Sequence, residues 1–397
     1  FLFSIGGFTF VVFKTYKMND MKGKQGMVCM GLLLVLSSCH TGKQITASGL
    51  QRKDFQTEVN GQHTDLFTLS NKQGMEVCIT NYGARVVSIL VPDRNGKRED
   101  VVCGFSTITE YMEQRQNFGS TVGRYIGRIL NARFTLDGVE YKLVPNNGKS
   151  GHISHGGNPG FADRIWKVEQ ADTHRVRLSY LSPDGENGFP GNLKVTLVYS
   201  LGEDDNALDL TYEATTDAPT VLNLSHHSFF NISGNFTKSV EDQQLWVDAD
   251  RFTPYDDKKC VTGEYLQVAG TPLDFRMPHA IGECIDADHP QLKVVNGYDH
   301  TWELNTKGDD TRPAAWVYDP ASGRKMEIFT TEPGMQIYTG NGLKGKMTGK
   351  RGIAYPFRSA VCFETMHFQD SPNQPGFPST VLRPGEVFRS HTVYKFE

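Results

Sequence analysis

Leu193-Lys194-Val195-Thr196-Leu197 places an apolar side chain at every second position, and Leu208-Asp209-Leu210-Thr211-Tyr212-Glu213-Ala214 repeats the scheme. Side chains along an extended strand point to alternate faces, so a period of two marks strands with one face on a core and the other toward water. That is the pattern of antiparallel sheets. Phe134-Thr135-Leu136 and Val139-Glu140-Tyr141 flank Asp137-Gly138, a dipeptide that tolerates the positive φ a two-residue hairpin requires. Asn147-Gly148, Asp184-Gly185, Asn296-Gly297 and Asn341-Gly342 mark further breaks. No stretch carries the helical period for three turns or more, and no repeat of fixed length stands out. Many short strands over roughly 340 residues, without a linker-like change of composition, predict an all-β fold: one large antiparallel β-sandwich over residues 54–397.

Composition agrees with a soluble, turn-rich globular chain. Of 397 residues, 40 are glycine and 18 proline, and 22% are charged. The formal charge of −4 gives no electrostatic footprint for nucleic acid. The first forty residues read as targeting rather than fold. Lys22 and Lys24 precede the apolar run Met27–Leu36, too short to span a bilayer, and Leu36-Ser37-Ser38-Cys39 follows. This order resembles a bacterial lipoprotein signal, which makes 1–38 an upstream and signal segment, Cys39 the lipidated N-terminus and 39–53 a linker. The absence of an initiating Met before Met18 and Met21 leaves the true start open at either. Without residues 1–38, which hold four of the 41 Lys/Arg and one of the 45 Asp/Glu, the formal charge is about −7. A modestly acidic surface suits a neutral ligand. Beyond Cys29 and Cys39, five scattered cysteines include no CxxC pair, which argues against a disulfide framework or a structural zinc site while an envelope location permits one or two bridges.

Polar, titratable residues concentrate in Gly123-Arg124-Tyr125-Ile126-Gly127-Arg128, Gly151-His152-Ile153-Ser154-His155-Gly156-Gly157, Asn223-Leu224-Ser225-His226-His227-Ser228-Phe229-Phe230-Asn231 and Cys362-Phe363-Glu364-Thr365. Gly297-Tyr298-Asp299-His300 and Pro333-Gly334-Met335-Gln336-Ile337-Tyr338 join them. Each alone has a plain structural reading: His155 fills a turn, His226 and His227 put one ring on each face of a strand, Glu364 points outward from a strand. Arg124 and Arg128 without a following Lys-Ser/Thr do not make a phosphate loop, and the histidines lack HxH or HExxH spacing for zinc catalysis.

Together, and in this order, these segments resemble the aldose 1-epimerase (galactose mutarotase) family along the whole mature chain. Thr80-Asn81-Tyr82-Gly83-Ala84, Asp100-Val101-Val102, Ser182-Pro183-Asp184-Gly185, Gly188-Phe189-Pro190-Gly191, Thr262-Gly263-Glu264, Gly270-Thr271-Pro272-Leu273-Asp274-Phe275-Arg276 and Leu382-Arg383-Pro384-Gly385-Glu386 match as well. The resemblance implies a sandwich with an open cleft and an enzyme that interconverts the α and β anomers of free aldohexoses such as galactose and glucose. It makes Glu364 the general base and His227 the general acid, on opposite sides of the captured pyranose. It places Arg128, His155, Asp299 and Gln336, together with Gly127, Ser228 and Phe229, around the sugar. Phe229 and Tyr338 are candidates to stack on the pyranose. Gly127 and His226 stand where the family commonly has Asn, and Thr301 and Met366 differ too, which bears on substrate detail.

Such chemistry requires no cofactor or metal, although the many Asp and Glu oxygens leave room for a structural calcium ion. The expected partner is a free monosaccharide, with no nucleic acid, with membrane contact only through the lipid anchor in periplasm or outer membrane, and with a monomeric chain. The rivals are a glycan-binding surface lipoprotein without turnover, a hexose-6-phosphate 1-epimerase, which needs a basic pocket, and more remotely a glycoside hydrolase with two flanking carboxylates.

Overall fold

The computed structural model describes residues 44–397 and, separately, two short strands, Leu2–Ile5 and Phe8–Val11, which pair antiparallel with each other. The chain divides into two units, 1–40 and 41–397. The signal run and Cys39 lie outside the described residues.

The alternating stretches at 193–197 and 208–214 lie in two neighbouring strands, Leu193–Leu201 and Ala207–Thr216, paired antiparallel with Leu197 opposite Tyr212. They belong to a nine-stranded sheet in the order Lys167–Ala171, Arg175–Ser182, Leu193–Leu201, Ala207–Thr216, Phe388–Phe396, Lys325–Thr330, Ala315–Tyr318, Gln244–Val247, His279–Ala280. A six-stranded antiparallel sheet runs Phe229–Phe230, Val361–Met366, Gly334–Tyr338, Asp299–Glu303, Arg251–Thr253, Leu266–Gln267. A four-stranded one runs Leu66–Ser70, Glu76–Thr80, Arg85–Pro92, Arg98–Asp100. One buried cluster takes Val195, Leu197, Tyr199 and Leu210 from the first sheet, Phe230, Trp302, Ile337 and Phe363 from the second, and Val77, Ile79 and Ile89 from the third. Interdigitating side chains from facing sheets are the core of a sandwich, as the alternation predicted.

The hairpin forms as read: Leu136 pairs with Val139 across Asp137 (φ 52°) and Gly138 (φ 80°). Asn296-Gly297 acts differently. Asn296, at φ 61°, ends the short helix Pro290–Val295 by taking the left-handed conformation that closes helix C-termini. The packed body also begins earlier than Asp54. Within the span read as a linker, Thr46, Ser48 and Leu50 are buried, and the backbone N–H groups of Ala47 and Ser48 donate to Glu76 Oε1 at 2.7 and 3.2 Å. The five cysteines expected in the mature chain, Cys78, Cys103, Cys260, Cys284 and Cys362, are all free thiols.

Arg124 is neither a solvated nor a phosphate-binding side chain. Its guanidinium is buried and donates to the carbonyls of Pro190 (2.7 Å), Gly191 (3.0 Å) and Pro183 (3.1 Å) and to Ser182 Oγ (2.6 Å). It ties the strand ends on both sides of the 182–191 turn. Loss of a buried, fully bonded cation leaves several carbonyls without donors, each worth about 1–3 kcal/mol. Arg124→Met is therefore expected to lower unfolding stability by more than about 3 kcal/mol, read as an earlier urea midpoint at unchanged slope.

Candidate functional site

Three strands of the six-stranded sheet face a cleft with one row of side chains. In the pairing register Glu364 lies opposite Gln336, Gln336 opposite Thr301, and Tyr338 opposite Asp299. Period two sends Phe363, Ile337 and Trp302 the other way, into the core. The cleft wall is completed by His227, from the strand Ser225–His227 that pairs with Ser120–Val122. Arg128 and Ser154 come from a two-stranded ladder, Arg128–Ile129 with Ile153–Ser154, and His155 follows it. The resulting cavity of about 250 Å³ is lined by Gln116, Asn117, Gly127, Arg128, Ser154, His155, His227, Phe229, Asp299, Gln336, Tyr338, Glu364, Met366 and Gln369.

His227 Nε2 stands 3.4 Å from Glu364 Oε1, both side chains almost wholly covered yet lining the cleft. They sit side by side on one wall, not across the cavity from each other as expected. The reason is topological: the strand carrying His227 leads directly into Phe229–Phe230, which pairs with Val361–Met366. Burial pushes the Glu364 carboxyl well above the usual range, and the nearby Asp299 charge adds to it. Burial pulls His227 well below the usual imidazole range, with His155 contributing in the same sense. A pair at 3.4 Å attracts when charged, but taking both groups out of water is the larger effect here. The two groups are thus biased toward a neutral acid beside a neutral imidazole.

The remaining polar groups are fixed in a chain. Thr301 Oγ1 donates to Gln336 Oε1 (2.5 Å), which orients the amide so that Gln336 Nε2 donates to Asp299 Oδ1 (2.7 Å). Gln369 Nε2 donates to the Tyr255 hydroxyl (2.7 Å), and Gln369 Oε1 accepts from the Arg128 backbone N–H (3.3 Å). Burial raises Asp299 and the Arg128 charge opposes that rise. His155 falls to about 4, first through burial and then through Arg128, and stays a neutral donor and acceptor. Gly127, at φ 75°, occupies the left-handed region that glycine or asparagine adopts most readily, so its place where the family commonly has Asn has a backbone reason. A Cβ there would meet Gln369 Cγ at 2.5 Å.

The histidine pair divides as the sequence suggested: His227 faces the cleft, and His226 packs between Tyr199 and Tyr394 in the core. The same alternation overturns Ser228 as a ligand-binding residue. It shares the core-facing side of the strand with His226, and its Oγ lies 2.6 Å from His226 Nε2. Phe229 lines the cleft but its ring is stacked on His227, with centroids 5.0 Å apart and 14° between planes, so it first positions the imidazole. Sequence reasoning missed Gln116, Asn117, Ser154 and Gln369 as cleft residues, and it read Met366 only as a departure from the family. Alternation from Glu364 places Met366 on the cleft face. Gln116 and Asn117 follow the helix Ile108–Gln114 in an irregular segment that carries no period.

Among the described residues one group has a metal-ligand composition: His227, Cys362 and Glu364, whose donor atoms all lie within 4.8 Å of one another. Burial pushes the Cys362 thiol well above its ordinary range, and the Glu364 charge adds to that. Cys362 is fully buried and packs beside Phe229 and Tyr338 rather than lining the cavity itself.

A family model described as aldose 1-epimerase matches residues 65–395. The chain is 40% identical to galactose mutarotase of Bos taurus over 331 residues, covering 83% of this chain and 93% of that protein. It is 36% identical to aldose 1-epimerase of Escherichia coli K12 over 340 residues, covering 85% and 96%. Among solved structures, the GalM/aldose epimerase homologue of C. elegans superposes with a TM-score of 0.77 at 31% identity, covering 84% of this chain and 99% of that one. Galactose 1-epimerase of Lactobacillus acidophilus does so with 0.75 at 28%, covering 86% and 96%.

Proposed function

Because the chain belongs to the aldose 1-epimerase family and shares its mutarotase activity, we propose that Glu364 and His227 perform the two proton transfers of that reaction on a free aldose. The observation that carries the assignment is the 3.4 Å separation of His227 Nε2 and Glu364 Oε1 on the wall of a polar cleft. Mutarotation needs a base at the anomeric hydroxyl and an acid at the ring oxygen. Both oxygens are bonded to C1, so a base and an acid standing side by side address them at once.

The Glu364 carboxylate takes the O1 proton while the C1–O5 bond breaks and the His227 imidazolium gives its Nε2 proton to O5. The sugar is then an open aldehyde, and the pair has become a neutral acid beside a neutral imidazole. Rotation about C1–C2 presents the other face of the carbonyl. O5 attacks it, its proton returns to His227, and Glu364 returns its own to O1. The burial shifts favour this cycle. A carboxylate with a raised pKa is a stronger base, an imidazolium with a lowered one a stronger acid, and the neutral pair preferred by burial is the state that coexists with the open sugar. Arg128, Asp299, Gln336 and His155 hold the hydroxyls, and Gln369 joins them by fixing the Arg128 backbone.

The pair carries one shared proton in its working form, and the pH profile follows from that. A second proton must charge His227 while Glu364 is neutral, and it binds only below the ordinary imidazole value of about 6.5. Loss of the shared proton leaves Glu364 charged beside a neutral ring, and occurs only well above the ordinary carboxylate value of about 4.3. The profile of kcat/KM is expected to be a broad bell whose acid limb lies below about pH 6.5, whereas the residual rate of His227→Asn should rise with pH as Glu364 ionises and show no alkaline limb. An acid limb at or above that value in the parent chain, or an alkaline limb that survives the substitution, assigns the titration elsewhere.

One observation weighs against a hexose-6-phosphate substrate. The cleft lining carries a single fixed cation, Arg128, against the carboxyls of Asp299 and Glu364, which does not suit a phosphate dianion. Membrane attachment through Cys39 in a bacterial envelope, at periplasm or outer membrane, rests on the basic, apolar and Leu-Ser-Ser-Cys order at 22–39. Mass spectrometry of the mature protein should find a lipidated Cys39 at its N-terminus, and an unmodified or internal Cys39 removes the anchor.

A further inference from the structure

We propose that His227, Cys362 and Glu364 form a reversible inhibitory site for a thiophilic divalent cation of the zinc class, whose occupancy excludes the aldose. The proposal rests on the reading of Glu364 and His227 as the reacting pair, and it adds Cys362, which the proton relay does not use.

The donor set arises from the strand. Cys362 and Glu364 are two residues apart on Val361–Met366 and so project to the same face, where His227 meets them from a separate strand. Their donor atoms fall within 4.8 Å of one another, and the imidazole and carboxylate members are already 3.4 Å apart. Four-coordinate zinc, with bonds of about 2.0–2.3 Å, spaces its ligands about 3.3–3.8 Å apart. The donors therefore need to draw together by no more than about 1.5 Å. Imidazole, thiolate and carboxylate on one centre suit zinc, and three protein ligands leave one coordination position open toward the cleft. Hard cations such as magnesium and calcium gain nothing from the sulfur.

Binding displaces the thiol proton as the metal–sulfur bond forms and any proton held by Glu364 as the metal–oxygen bond forms. Both leave to solvent, and the metal sheds waters without change of oxidation state. The thiolate and carboxylate then neutralise the dication within the buried wall. Both reacting groups are occupied, so the anomeric centre has neither base nor acid. One feature sets the strength. His227 Nδ1 is buried with no hydrogen-bond partner, whereas imidazoles in resident metal sites almost always donate their second N–H to a carboxylate or carbonyl. The site is therefore a reversible one rather than a permanent metal centre.

The test uses the full chain: zinc chloride titrated by calorimetry in the absence of sugar, and its effect on galactose mutarotation followed by polarimetry. The expected results are one zinc per chain, inhibition competitive with sugar, and no inhibition by magnesium or calcium. Cys362→Ser should raise the inhibitory zinc concentration at least about 10-fold. Cobalt(II) substitution should give a thiolate-to-cobalt absorption band in the unmodified chain, a readout that does not depend on any variant folding. Cys260 Sγ lies 3.3 Å from His152 Nε2 and offers a soft-donor pair outside the site, so Cys260→Ser should leave inhibition as it was. Zinc without effect on a chain that turns over normally, inhibition not competitive with sugar, a cobalt spectrum without the sulfur band, or equal sensitivity of Cys362→Ser overturns the site. Because zinc binding is measured without turnover, such a failure is distinct from failure of the proton relay, which shows instead as an active Glu364→Gln.

Discussion

Polarimetry on Glu364→Gln should return a rate of α-galactose mutarotation about 10²–10⁴-fold below that of the parent chain, with thermal unfolding little changed. The amide matches the carboxylate in shape and still bonds to a sugar hydroxyl, but it cannot take a proton. KM should therefore hold while kcat falls, the signature of an interaction made only in the transition state. Glu364 lies in the middle of a strand buried along its whole length, so its neighbours keep it in place. Removing a carboxyl whose pKa is raised by burial relieves a cost of folding, and the variant is not expected to unfold. A near-normal rate in a folded variant would take Glu364 out of the chemistry.

His227→Asn should fall by a similar factor, for a different reason. The ring oxygen leaves as an alkoxide unless it is protonated, and no other imidazole replaces His227. His155 is 5.5 Å away between ring centroids, turned at 68°, and held near a pKa of 4. His226 is on the core side of the strand. The two residues act as a unit, so the double variant should be little slower than either single one. Losses that multiply would mean two independent contributions rather than one relay.

The sandwich was legible because its outer strands bury one face, and Leu193–Leu201 shows that in its sequence. Val361–Met366 does not. Every residue of it is buried, one face on the core and the other on the cleft, so Glu364 looked like an outward strand residue until family resemblance singled it out. Ser228 failed for a simpler reason: a motif read as a line assigns neighbours to one site, whereas a strand sends each neighbour to the opposite side. The same rule separates His226 from His227. Gln369 could have been found by its nearness to Glu364 in sequence, but its contacts run to Arg128 and Tyr255, more than a hundred residues away. The side-by-side placement of acid and base depends on the pairing of Phe229–Phe230 with Val361–Met366, a long-range register that local pattern does not encode.

The crystal structure of the Glu364→Gln chain with galactose bound bears most directly on the relay. Residue 364 should lie within about 2.6–3.2 Å of the anomeric O1, and His227 Nε2 within the same distance of the ring O5. A sugar seated in the cleft with its C1–O5 edge turned away from both side chains would contradict it.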